Sequence, residues 1–164
     1  MPRILDLGTG SGAIALAVKR TRPDAQVSAV DASKDALDVA RANAQRLGLE
    51  VEFVHGSWFS PVRDQFHLIV SNPPYIAVHD KHLNGLRHEP LQALTSGSDG
   101  LDDIRKIIKL ARVHLHPGGW LLLEHGFDQA AQVRALLLGT GFGNVQSRRD
   151  LNGIERCSGG NIST

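Results

Sequence analysis

The chain holds a single cysteine, Cys157, in 164 residues. A lone thiol cannot close an intrachain disulfide, and without a partner cysteine a structural thiolate zinc site is not expected. A reducing compartment, the cytoplasm, is the expected location. Excess charge is missing too. Eighteen Lys and Arg against seventeen Asp and Glu leave a formal net charge of +1. That balance lacks the broad basic footprint of a nucleic-acid binder. The basic pairs Lys19-Arg20 and Arg148-Arg149 are too short to form a tail. No apolar run approaches the ~20 residues of a membrane span, the first residues carry no signal-peptide pattern, and no repeat or low-complexity tract stands out.

What is present is ordinary for a globular domain: 41% hydrophobic and 21% charged residues. A chain of this length supports one proper core, so a single domain over residues 1–164 is expected. Strand-like apolar runs at residues 3–7, 27–30, 51–54, 66–70 and 120–124 alternate with helical patterns at 13–20, 34–47, 101–115 and 129–138. Ser33 suits an N-cap and Gly48 a helix stop. Pro117-Gly118-Gly119 is expected to end the third helix, 101–115. Residues 144–149 and a weak strand near 155–157 close the chain. Strand–helix alternation predicts an α/β fold with a mostly parallel sheet covered on both faces. Residues 77–100, with Gly85, Pro90, Gly97 and Gly100, read as a long irregular loop of the kind that is usually functional or disordered. Because a core strand starts at the third residue, the chain is expected to be a fragment of a longer protein.

Asn72-Pro73-Pro74-Tyr75 follows the apolar run Leu68-Ile69-Val70 directly. Two prolines fix φ twice and remove two N–H donors, so the strand must stop at Val70 or Ser71 in a stiff extended turn. In open α/β sheets the carboxyl ends of the strands are where ligands bind. A rigid amide beside exposed carbonyls and an aromatic ring can grip a planar –NH2 group. An ordinary proline-rich turn is the plain alternative.

Asp6-Leu7-Gly8-Thr9-Gly10-Ser11-Gly12 lies between the first strand and the first helix. Its three alternate glycines let the chain turn sharply and let a ligand lie on the backbone. Asp31 ends the second strand, at the distance where a carboxylate meets ribose hydroxyls. Gly8-x-Gly10-x-x-Ala13 also satisfies the dinucleotide pattern, so an NAD domain competes with an S-adenosylmethionine domain. Asp6 is a poor neighbour for pyrophosphate and a good one for an amino-acid ammonium, which favours S-adenosylmethionine. Gly56-Ser57-Trp58-Phe59 occupies the next strand end. Trp58 is expected to flank an adenine, whereas Phe59 is expected simply to cover the sheet. Glu124-His125 is expected to play a supporting structural role. The pairs His79/His82 and His114/His116 lack a carboxylate–histidine pattern, and no metal site is expected.

The motifs occur in one order: Asp6 to Gly12, Asp31, Trp58-Phe59, Ser71-Asn72-Pro73-Pro74-Tyr75-Ile76, Glu89-Pro90-Leu91-x-Ala93-Leu94, Asp99-Gly100-Leu101 and Leu122-Leu123-Glu124-His125-Gly126. Together they resemble the HemK/PrmC family, the release-factor glutamine N5-methyltransferases, over essentially the whole chain. The resemblance implies a Rossmann-like seven-stranded S-adenosylmethionine-dependent methyltransferase fold. It implies methyl transfer to the glutamine of the Gly-Gly-Gln loop of peptide chain release factors, with those factors as partners and the chain as a monomer. By the same resemblance Asp6, Gly8, Thr9, Gly10, Ser11, Gly12, Asp31, Ser57, Trp58 and Asn72 hold the cofactor. Asn72, Pro73, Pro74 and Tyr75 bind the glutamine amide. The sequence departs from the family in three places. The N-terminal helical domain has no counterpart, His88 replaces an aromatic residue, and residues 158–164 look atypical for a closing strand. Two alternatives remain open at this point: an adenine-N6 methyltransferase, which also uses Asn-Pro-Pro-Tyr, and a non-catalytic domain that binds a cofactor or partner.

Overall fold

A computed structural model of the chain describes residues 1–80 and 91–163. Seven strands alternate with helices: β1 Arg3–Leu7, α1 Ala13–Thr21, β2 Gln26–Asp31, α2 Lys34–Leu47, β3 Glu52–His55, β4 Phe66–Ser71, a short α3 Leu91–Leu94, α4 Asp102–Ala111, β5 Leu115–Glu124, α5 Ala130–Gly139, β6 Gly143–Arg149 and β7 Glu155–Asn161. They form one sheet in the order β3-β2-β1-β4-β5-β7-β6. β1 to β5 run parallel, and β7 pairs antiparallel with both β5 and β6.

The alternation of side chains along β1 sorts the core into two layers. Leu5 and Leu7 join one cluster with Ile69, Leu121 and Leu123. Ile104, Ile107, Ile108 and Ala111 of α4, and Val133 and Leu137 of α5, cover that face. Their three- and four-residue spacing is what makes one stripe of each helix apolar. Ile4 joins the other cluster, where Ala15 of α1 meets Val27 and Ala29 of β2. α2 starts where Ser33 accepts a hydrogen bond from Ala36 N at 3.2 Å and stops where Gly48 turns left-handed at φ 63°. Both caps are those expected from the sequence. The far half of the α1 face carries a groove of about 390 Å³ lined by Leu68, Trp120, Leu122, Cys157 and Gly159, among others. It lies on the sheet face rather than at the carboxyl edge.

The structure differs from the sequence-based expectation in three elements. First, α4 ends at Ala111, because Arg112–His114 tighten into a 3-10 turn and Leu115 already pairs with Phe66. Second, Pro117-Gly118-Gly119 does not end a helix but lies inside β5, where the pairing with β4 jumps from Phe66/Leu115 to Leu68/Trp120. Gly119 suits that bulge, since a Cβ there would sit 2.7 Å from His116 O and 3.1 Å from Phe66 O. Third, the last strand is a full strand from Glu155 to Asn161 that takes in Ser158, Gly159, Gly160 and Asn161, the tail expected to be atypical. Ser158, Gly159 and Gly160 are buried between β5 and β6, and a Cβ on Gly159 would overlap Leu121 O.

The described ends of the stretch expected to be irregular pair with each other, Val78 N donating to Gly97 O. Ile76 forms an isolated parallel bridge with Thr95, Ile76 N donates to Leu94 O and Ser96 N donates to Ile76 O. His82, Gly85, His88, Glu89 and Pro90 lie outside the described residues. Among the described residues, no helix is long and apolar enough to cross a membrane.

Candidate functional site

Strand connections run outward in opposite directions from β1 and β4, so the crevice at the carboxyl ends of these two neighbours is the switch point of the sheet. Leu7 pairs with Ser71 at that edge, and the Ser71 hydroxyl donates to Leu7 O at 2.7 Å. The next residues on each strand are Gly8 and Asn72. The fold therefore sets the glycine loop and the Asn72–Tyr75 turn side by side.

The loop is a left-handed staircase. Gly8, Gly10 and Gly12 all have positive φ, at 69°, 55° and 84°. Gly8 N and Thr9 N both donate to Val30 O, which ties the loop to the tip of β2. Nothing lies within 4 Å of a Cβ built on Gly10, so its surface is open, whereas Gly12 packs tightly on Ala40 of α2.

Asp6 lies beneath this loop, 1% exposed. Its Oδ2 accepts from the Thr9 hydroxyl at 2.6 Å and from Ala15 N at 3.1 Å, which also satisfies one orphan donor of the first turn of α1. Its Oδ1 is buried and has no partner. An unpaired buried carboxylate oxygen is costly. Burial pushes the Asp6 carboxyl up to about 6, against the lowering effect of its two hydrogen bonds, and the nearby Asp31 charge adds to the rise.

Asp31 does more than end β2. Its Oδ2 accepts from Gly10 N and its Oδ1 from Ser33 N, both at 2.8 Å, so it braces the glycine loop against the start of α2. Each oxygen keeps a further lone pair for a hydroxyl. Ser11 is exposed and its carbonyl accepts from Asn43 Nδ2 at 3.0 Å. Ser57 is exposed as well, with its N–H donated to Ser60 Oγ at 3.1 Å.

Trp58 sits in a left-handed conformation, φ 48°, with its ring against Gly8. Its indole N–H donates to Asp103 Oδ1 at 3.1 Å. The ring therefore borders the cradle while its polar edge is held from α4. Phe59 is buried in the core and stacks on His114 with centroids 4.7 Å apart, the covering role expected of it.

Asn72 is exposed at the rim, Pro73 is buried, and Pro74 and Tyr75 are half-buried. Behind this turn lies a support that the sequence did not reveal. Gln129 is buried and bonds to Gly126, Tyr75 and Asp99. Asp103 takes hydrogen bonds from Trp58 and from the Ser96 hydroxyl. His125 is fully buried and bonds to Gly126 O and Ser158 Oγ, in the structural position expected. Among the described residues, no three His, Cys, Asp or Glu side chains group to hold a metal.

The comparisons with known proteins agree with this geometry. The model of the methyltransferase small domain family matches residues 1–154. The chain is similar to a release factor glutamine methyltransferase of Burkholderia pseudomallei, 52% identical over 171 aligned residues, which cover 98% of this chain and 60% of that protein. A release factor glutamine methyltransferase of Bordetella pertussis is 54% identical over 163 residues, covering 97% and 60%. The chain thus spans about 60% of the length of these curated relatives. Among solved structures, a methyltransferase from Pyrococcus furiosus shares the fold, with a TM-score of 0.77 at 21% identity over 99% of this chain and 76% of that one.

Proposed function

The chain belongs to the methyltransferase small domain family, and from that footing we propose that it transfers a methyl group from S-adenosylmethionine to the side-chain amide nitrogen of a glutamine, the one in the Gly-Gly-Gln motif of peptide chain release factors. The observation that carries the reading is the pairing of two features at one switch point. A glycine staircase with an orphaned buried carboxylate oxygen lies beside a proline-stiffened carboxamide. The names of the relatives supply the substrate class.

S-adenosylmethionine would bring an electrophilic methyl group on a sulfonium, together with an ammonium and a ribose. The chain's residues fit those parts. Asp6, with one oxygen left unpartnered, would hold the ammonium, directly or through water. Gly8, Thr9, Gly10, Ser11 and Gly12 let the tail lie on the backbone, and Asp31 accepts from the ribose. Ser57 and Trp58 border the adenine side. An NAD reading would set a pyrophosphate over Asp6, where two like charges would repel.

An amide nitrogen is a weak nucleophile because its lone pair is delocalised into the carbonyl. The Asn72 side-chain oxygen and the Pro73 carbonyl accept the two N–H bonds of the glutamine, which fixes the nitrogen and favours positive charge developing on it. Tyr75 packs along the amide plane. Pro73 and Pro74 hold the group still. As the nitrogen gained the methyl, the methyl–sulfur bond would break and its electron pair would leave on sulfur, giving the neutral thioether S-adenosylhomocysteine. The nitrogen would release one proton to water, so no strong general base is required.

The test is Asn72→Ala assayed for methyl transfer to a release factor and, in parallel, to adenine-containing DNA. Turnover on the release factor is expected to fall about 100-fold, the scale of losing one preorganised polar contact, with donor affinity changed far less. Near-normal turnover in the variant would remove Asn72 from the chemistry. Transfer to DNA but not to protein would replace the substrate class.

A further inference from the structure

We propose that Gln129 is the positioning residue for the Asn72–Tyr75 turn, holding it at its height over the glycine loop; the inference rests on the methyl-transfer reading. The Gln129 carboxamide joins three separate segments. Its Oε1 accepts from Gly126 N at 2.8 Å, in the loop after β5. Its Nε2 donates to Tyr75 O at 2.9 Å and to Asp99 O at 3.3 Å. One end must accept and the other must donate twice. Among side chains of this length and shape only an amide does both.

Three further observations give this contact its weight. Gln129 occupies the N-cap of α5 yet makes no side-chain capping bond, so its polar atoms are committed elsewhere. Gly100, at φ 76°, leaves room for this contact, since any Cβ there would overlap Tyr75 O and come within 2.9 Å of Gln129 Nε2. Finally, Tyr75 closes a segment whose two prolines cannot flex in φ. With φ fixed at Pro73 and Pro74, few torsions remain to absorb a displacement of the Tyr75 carbonyl before it reaches Asn72.

Gln129→Glu tests the claim with almost no change in volume. It keeps the acceptor for Gly126 N and replaces the donor by an oxygen facing two carbonyls. At saturating donor and release factor, kcat is expected to fall at least tenfold while donor Kd stays within twofold. Tyr75 is the only tyrosine in the chain, so biosynthetic fluorotyrosine gives one fluorine resonance that reports on this turn. That resonance is expected to shift or split in the variant. A wild-type kcat, or an unmoved resonance in a folded variant, overturns the proposal. If the wild-type chain methylates no release factor, the functional reading fails, and the fluorine signal still decides whether Gln129 sets the turn. Should Gln129→Glu fail to fold, Gln129→Met removes both the acceptor and the donor at nearly the same side-chain length. The resonance must then move in that variant, or the proposal falls.

Discussion

Asp6 carries the most informative single charge in the molecule. Its folded pKa of about 6 stands above the ordinary 3.8 because burial disfavours the carboxylate. A group raised in this way stabilises the fold fully below its unfolded value and loses that contribution as pH rises through about 6. Above that pH the ligand-free protein holds a buried charge with one unpaired oxygen. A cationic ligand should bind best there. Donor affinity is therefore expected to be about tenfold weaker at pH 5 than at pH 7, since only about a tenth of Asp6 is ionised at the lower pH. Calorimetric titration across that range measures it. Asp6→Asn keeps an acceptor for Thr9 and Ala15 and should flatten the profile. An unchanged slope would assign the pH dependence to another group. At this scale the sequence disclosed residue types well. Asp6, Asp31, Asn72 and the glycines stand in recognisable spacing. The role of Gln129 could not be read out, because two of its three partners, Tyr75 and Asp99, lie 54 and 30 residues away along the chain.

Among the elements, caps and apolar periodicity were legible, and glycine-rich strands were not. Ser33 and Gly48 act through neighbours three or four residues away, so local sequence contains the whole argument. β7 is different. Ser158-Gly159-Gly160 resembles a loop in composition, but Gly159 is there because the backbone of β5 approaches too closely for a side chain. That reason belongs to tertiary packing, and no window along the sequence contains it. Two substitutions separate the cases. Gly159→Ala drives a Cβ into Leu121 O and toward Leu122 Cδ2 at 2.5 Å, and is expected to cost about 3 kcal/mol. Gly139→Ala, at the end of α5 with nothing within 4 Å, should stabilise by about 0.5–1 kcal/mol through helix propensity. Urea unfolding reads both. A neutral Gly159→Ala would show that the β5–β7 contact is looser than its geometry.

For the molecule as a whole, the proposed donor acts as a stabilising ligand. Binding at 100 times Kd adds about 2.7 kcal/mol, which for a domain of this size raises the thermal midpoint by roughly 5–10 °C. S-adenosylmethionine should produce that shift and NAD should not. The reverse result would restore the dinucleotide reading. The parallel pairing of the first five strands, with helices on both faces, was foreseeable from strand–helix alternation. The antiparallel insertion at the far side was not, because periodicity gives strands without their order.

That insertion has a consequence for how the chain comes into being. β7 enters between β5 and β6, two strands that leave the ribosome before it. Through the synthesis of α5 and β6, the outer edge of β5 offers unsatisfied backbone groups beside Leu121 and Leu123 to any passing chain. The nascent sheet is thus most vulnerable to aggregation until β7 emerges, and Glu155–Asn161 act as the bolt that closes it.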